Sequence, residues 1–169
     1  PMANPVNPQR NLALSGLTSI GLGGEVDFLW RVSASEQVAT TLERIYDLGH
    51  RPFVLGGGSN LVVSDDGVQG SVLTVSSAVK PDFKDDVVVV DGGLEWDQFV
   101  ALSIAAGRSG VELLSGIPGR VGAAPIQNIG AYGQEVSECI EWVEVLWLKT
   151  LQVQVIAGSE CGFMYRNSV

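Results

Sequence analysis

Apolar and polar residues alternate from Glu25 to Val32, with Val26, Phe28, Trp30 and Val32 on one side, the period-two pattern of a strand. Ser33 then opens a helix, with Glu36 three residues on as a capping box. Val38, Leu42, Ile45 and Tyr46 fall on one helical face, and Gly49 ends it. Pro52 to Leu55 reads as a short buried strand, and Leu61 to Val63 and Ser71 to Val75 as two more, parted by a Ser64-Asp65-Asp66-Gly67 turn. A second unit follows. Val87 to Val90 is β-branched throughout and predicts a strand buried on both faces. Gly92-Gly93 is a turn, and Trp96 to Ala106 predicts a helix with Trp96, Phe99, Val100 and Ile104 inward, stopped at Gly107. Glu141 to Leu148 and Leu151 to Ala157 read as antiparallel strands joined at Lys149-Thr150. The fold class is α+β in two lobes, 13–76 and 77–169, after an N-terminal tail over 1–12 in which Pro1 before Met2 reads as a cloning scar. No internal repeat or low-complexity tract interrupts it.

One stretch follows neither period. Ser115 to Glu135, SGIPGRVGAAPIQNIGAYGQE, holds five glycines in 21 residues and only two charges, Arg120 and Glu135. Glycine lets bare backbone approach a ligand, and a solvated linker would be polar where this one carries Ile117, Val121, Ile126 and Ile129. A long irregular segment of this kind reads as the wall of a pocket for a large flat cofactor.

Charge narrows the partners. Nineteen acidic against ten basic residues leave a formal charge of -9, which argues against nucleic acid and against an anionic membrane surface. A phosphate-bearing ligand must therefore be held by backbone N–H groups and a few placed arginines. Cys139 and Cys161 do not make a disulfide scaffold, and neither has a second Cys or His at metal-ligand spacing, so no metal site is expected. His50, the only histidine, reads as a solvated loop residue. PMANPVNPQRN has no apolar h-region and no run approaches membrane-spanning length, so the expected location is the cytoplasm.

Two further segments carry chemistry. Leu55 to Leu61, LGGGSNL, leaves a strand at three consecutive glycines, whose N–H groups, with the Ser59 hydroxyl and Asn60 amide, suit a diphosphate. It matches neither the dinucleotide fingerprint nor the P-loop. Cys161 to Ser168, CGFMYRNS, sets Tyr165 beside Arg166, whose forked guanidinium suits a carboxylate or enolate.

LGGGSN, SGIPGRVGAAPIQNIGAYGQE and C-G-F-x-Y-R-x-S, in this order and spacing after Thr18-Ser19-Ile20-Gly21-Leu22-Gly23-Gly24, resemble UDP-N-acetylenolpyruvoylglucosamine reductase over roughly residues 10 to 168. The resemblance is to the N-terminal FAD-binding portion, a two-lobed domain of the vanillyl-alcohol oxidase-like type. It implies that Leu55, Gly56, Gly57, Gly58, Ser59, Asn60 and Leu61 hold the FAD pyrophosphate. Ile117, Pro118, Val121, Gly122, Ala123, Ala124, Ile126, Gln127 and Gly130 would line the flavin, Tyr132 and Tyr165 would stand on the substrate side, and Arg166 matches the catalytic arginine. It also implies NADPH as co-substrate and a UDP-sugar as substrate: hydride passes through FAD to the enolpyruvyl group in peptidoglycan synthesis. Asn167 departs from the Asp common in the family. The family's substrate-binding domain, with its proton-donating serine and its glutamate, is not among these residues, so the chain alone is expected to be inactive. A flavin oxidase of the same fold, and a colourless non-catalytic acidic binding module, stay open as alternatives, as does the oligomeric state.

Overall fold

The computed structural model describes Asn4 and residues 6–169. The chain divides into two compact units, Pro1–Ala78 and Val79–Val169. Of the expected tail, Pro1, Met2, Ala3 and Pro5 lie outside the described residues, while Gln9 to Leu12 belong to a strand.

In the first unit β1 (Gln9–Ala13) pairs antiparallel with β2 (Glu25–Val32). Helix α1 (Glu36–Asp47) leads to β3 (Pro52–Leu55) and then β4 (Val68–Val75). The sheet order is β1-β2-β4-β3, with β4 parallel to both of its neighbours. Neighbouring side chains on β2 point to opposite faces. Leu29 joins Leu14, Val26, Leu55 and Val72 in a buried cluster. Trp30 turns toward α1, where the Arg44 guanidinium lies 5.7 Å from its ring centroid. Leu29 thus breaks the expected one-sided alternation because both faces of the sheet are covered. Gly70 (φ +102°) forms a bulge on β4, and its N–H donates to Asp27 Oδ2 at 2.8 Å.

Helix α1 buries Thr41, Leu42 and Ile45. It starts at Glu36 and not at Ser33. Ala34 and Ser35 carbonyls already bond the Gln37 and Val38 N–H groups, so the predicted capping box does not form. Its end is a Schellman motif: Gly49 (φ +76°) donates to Tyr46 O at 2.8 Å and His50 N–H to Ile45 O at 3.2 Å. His50 is half-buried and not a solvated loop residue. Its Nδ1 lies 2.9 Å from Ser71 Oγ, which accepts from Trp30 Nε1, and its ring stands 5.3 Å from Phe28. Two expected strands change character. β3 is an edge strand with Phe53 and Val54 exposed, because β4 covers only one side of it. Leu61 to Val63 is irregular: Leu61 and Val63 pack on the core while Val62 faces out.

The second unit is built of two-stranded ribbons around one helix. β5 (Asp82–Lys84) pairs with β6 (Val87–Val89), followed by α2 (Trp96–Ala105). β7 (Gly130–Ala131) pairs with β8 (Gln134–Glu135), and β9 (Trp142–Trp147) with β10 (Gln152–Ala157), all antiparallel. The core gathers Leu94, Trp96, Phe99, Val100, Val111, Leu114, Ala124, Ile129 and Val136. β6, expected to be buried on both faces, has only β5 for a neighbour and leaves Val89 exposed. On α2, Ile104 is 53% exposed and Ser103 is buried instead, its Oγ donating to Phe99 O at 3.0 Å. Gly107 (φ +71°) ends α2, with the Gly107 and Arg108 N–H groups on the Ile104 and Ser103 carbonyls, both at 2.9 Å.

Candidate functional site

In the first unit the parallel strands β2, β4 and β3 all end on the same edge of the sheet, and the Gly56–Asn60 loop leaves that edge from Leu55. The carboxyl edge of parallel strands is where α/β sheets bind nucleotides. Leu55 is buried, Gly56, Gly57, Ser59 and Asn60 are exposed, and Leu61 is half-buried. Gly58 anchors the loop. It is buried at φ +66°, a Cβ there would strike the Leu17 carbonyl, and its own carbonyl accepts the Ser19 N–H at 3.0 Å. A rigid base under exposed, side-chain-free backbone fits a diphosphate.

In the second unit Asp97, on the first turn of α2, fixes the start of the long glycine-rich segment. Its Oδ1 accepts from Gly116 N–H at 2.7 Å and Ser115 Oγ at 2.8 Å, and these bonds hold its carboxyl below the usual carboxylate range. Farther on, Trp96 N–H bonds Gly119 O, and Val121 and Gly122 N–H bond Leu94 and Gly92 carbonyls. Gly92 and Gly122 pass so closely that a Cβ on Gly122 would lie 3.1 Å from Gly92 O. Arg120 donates to Gly93 O at 2.6 Å and pairs with Glu95 at 3.0 Å, so it holds this crossing together. Ile117 and Val121 pack half-buried against the core, and Ala124 lies inside it. Pro118, Gly122 and Ile126 are exposed, and Ala123, Gln127 and Gly130 are half-buried.

Tyr132 and Gly133 turn the β7–β8 hairpin with φ +54° and +85°, the double left-handed pattern of a type I′ turn. Tyr132 is thereby thrown outward, 88% exposed. Met164 and Asn167 exchange backbone bonds at 2.9 and 3.1 Å, which makes Tyr165-Arg166 the tip of a second tight turn. Arg166 adopts φ +55°, its Nη2 donates to Gly130 O at 3.0 Å, and its guanidinium lies 5.6 Å from the Tyr165 ring centroid. Ser168 Oγ ties the same segment to Ile126 O at 2.9 Å. Arg166, from the 161–168 motif, and Gly130 and Ile126, from the 115–135 motif, are thus one assembly. Tyr165, 82% exposed, stands on the same turn.

The residue that sequence reasoning missed is Asn128, which is buried with a left-handed φ of +44°. Its side chain bonds Glu135, Ser137 and Met164. An Asn next to Ile129, in a segment otherwise rich in apolar residues and glycine, was the available signal. Cys139 and Cys161 are free, with thiols pushed up chiefly by burial. Among the described residues no group of three or more His, Cys, Asp or Glu could hold a metal, and no helix is long and apolar enough to cross a membrane. A groove of about 330 Å³ lined by Arg10, Phe28, Trp30 and Arg44, among others, contains none of the predicted site residues.

Comparison with known proteins speaks to the family and the fold. The family described as the FAD binding domain matches residues 26–150. The UDP-N-acetylenolpyruvoylglucosamine reductase of Thermobifida fusca is 46% identical over 164 residues, 95% of this chain and 46% of that protein. The reductase of Salinispora arenicola is 40% identical over 168 residues, 97% of this chain and 46% of that protein. The solved structure of UDP-N-acetylenolpyruvylglucosamine reductase from Thermus caldophilus has a TM-score of 0.79 at 33% identity, covering 96% of this chain and 56% of that one. A solvent-stable cholesterol oxidase, at 15% identity and a TM-score of 0.54 over 89% of this chain and 32% of its own, shows the fold alone. The chain spans about half the length of the curated relatives it matches. With that family match over most of its length, and the fold shared with both solved structures, this α+β chain belongs to the FAD binding domain family.

Proposed function

We propose that this chain is the FAD-holding part of an NADPH-dependent UDP-N-acetylenolpyruvoylglucosamine reductase, working in the cytoplasm to make UDP-N-acetylmuramate for peptidoglycan. The observation that carries the reading is the assembly of Arg166 onto the Gly130 carbonyl, within the PIQNIGAYG string, in a chain 46% identical to such a reductase. In the first unit the exposed backbone of Gly56 and Gly57, with Ser59 and Asn60, would hold the diphosphate, and Leu55, Gly58 and Leu61 would shape the loop. In the second unit Ile117, Pro118, Val121, Gly122, Ala123, Ile126, Gln127 and Gly130 would present apolar surface and backbone to the flavin. Ala124 would support them from the core.

Bound FAD would supply hydride exchange between NADPH and the enolpyruvyl double bond. The protein's own task is electrostatic and steric. Arg166 carries a fixed positive charge in a planar fork, suited to the substrate carboxylate and to the enolate charge that develops beside it. Losing one such donor typically lowers the rate about 10²–10³-fold. Tyr132 and Tyr165 would cover the substrate and exclude water.

The visible spectrum of the purified chain with FAD is the first test. A perturbed flavin band that titrates to saturation supports the reading, and a chain that leaves FAD unchanged removes it. With NADPH alone the bound flavin should bleach. With the UDP-sugar added, this chain should give no multiple turnovers, since the rest of its relatives' length is where a second wall would be found. Sustained turnover would show that wall to be dispensable.

A further inference from the structure

Asn128 is 1% exposed and satisfies three of the four hydrogen-bonding positions on its amide. Its Nδ2 donates to Glu135 Oε2 at 2.7 Å and to Met164 O at 3.1 Å, and its Oδ1 accepts from Ser137 N–H at 3.1 Å. The partners lie on three different pieces of chain: β8, the turn after it, and the 161–169 segment that carries Arg166. Arg166 itself is exposed, and one bond from an exposed, many-rotamer side chain to a carbonyl does not hold that side chain still. The bond from Asn128 starts from a buried side chain, lies two residues upstream of Arg166, and falls on the carbonyl that also closes the Tyr165-Arg166 turn through Asn167 N–H.

We propose that Asn128 is the positioning residue for Arg166: by clamping Met164 O to the Glu135 end of β8, it fixes the turn that aims the guanidinium at Gly130. That Arg166 acts on substrate rests on the reading above; the clamp stands on its own geometry.

The test uses the chain as it exists, with Asn128→Ala and Asn128→Asp. Aspartate has the same size and keeps the packing, but it loses the amide donor and sets a second carboxylate against Glu135. Two carboxylates at that distance share a proton at low pH and repel once both ionise. The other charges nearby are Glu138, whose Oε1 accepts the Glu135 N–H at 3.2 Å, and Arg166 on the clamped segment. Amide exchange of residues 161–169 is followed from pH 5 to 8, corrected for intrinsic rates, with the guanidinium ¹⁵N–¹H resonance of Arg166 assigned by Arg166→Lys.

In Asn128→Asp the 161–169 amides should exchange faster than wild type already at pH 5, where the shared proton leaves Met164 O without a donor, and at least ten-fold faster again at pH 8, where the two carboxylates repel. The Arg166 resonance should merge with the solvent-exposed arginines over the same range. In Asn128→Ala both changes should be present at every pH, with α2 and β9–β10 unchanged. Wild-type exchange of 161–169 in both variants overturns the proposal. So does a loss of protection spread evenly over the unit without pH dependence, which is what a merely structural role produces. Normal turnover by Arg166→Lys in a longer version of the protein would instead remove Arg166 from catalysis and leave the clamp untouched.

Discussion

Gly57 and Gly58 are neighbours with different obligations. Gly58 needs its glycine for the fold, since its φ is +66° and a Cβ would meet the Leu17 backbone. Gly58→Ala should destabilise the first unit by roughly 2–4 kcal/mol, read by chemical denaturation. Gly57 is exposed on the same loop, and Gly57→Asp should leave folding near wild type while FAD affinity drops by several kcal/mol, on the scale of an unpaired charge against a phosphate. Equal FAD affinities in Gly57→Asp and wild type would take the loop out of the site. Asp97 gives a prediction in pH. Its folded carboxyl titrates below the unfolded value of about 3.9, so its contribution is complete above that pH and is lost as pH falls through the folded value. The stability difference between wild type and Asp97→Asn should be flat from pH 8 to 5 and shrink in acid. A difference that grows in acid would contradict the bonds to Ser115 and Gly116.

Helices α1 and α2 end on glycines with open space where a side chain would start: outside their chain neighbours, nothing lies within 4 Å of a Cβ built on Gly49 or Gly107. Only the left-handed backbone opposes a side chain there, so Gly49→Ala and Gly107→Ala should each cost about 1 kcal/mol with an unchanged denaturant slope. A much larger loss would reveal contacts at those ends. These two stops were legible in sequence because a glycine at a helix end acts through its own dihedral angles. β2 and α1 were legible because they are long and periodic. β1 and β5 were not. Gln9–Ala13 and Asp82–Lys84 carry no alternating apolar face, and they are strands only because β2 and β6 offer backbone partners. The site divides the same way. Its glycine-rich loops and Arg166 stand out locally, whereas Asn128 matters through Met164, 36 residues away. His50 was misread for the same reason, since its partners Phe28 and Ser71 are distant in sequence.

At the scale of the whole molecule the charge of -9 acts on any anionic ligand before contact. The Debye length falls from about 30 Å at 0.01 M salt to about 8 Å at 0.15 M, so FAD should associate faster as salt rises over that range. Slower association would mean that local cations dominate the approach. The sheet order β1-β2-β4-β3 has a consequence in time. Asp27 and Gly70, which lock β2 to β4, are 43 residues apart, and that loop must close before the centre of the sheet exists. The ribbons of the second unit join neighbours in sequence and can zip on the microsecond scale. On synthesis, therefore, β2 leaves the ribosome with Val26, Leu29, Trp30 and Val32 uncovered and waits, through α1 and the glycine loop, for β4 to arrive. The first unit, although made first, is the one that finishes late and the one a chaperone has most reason to hold.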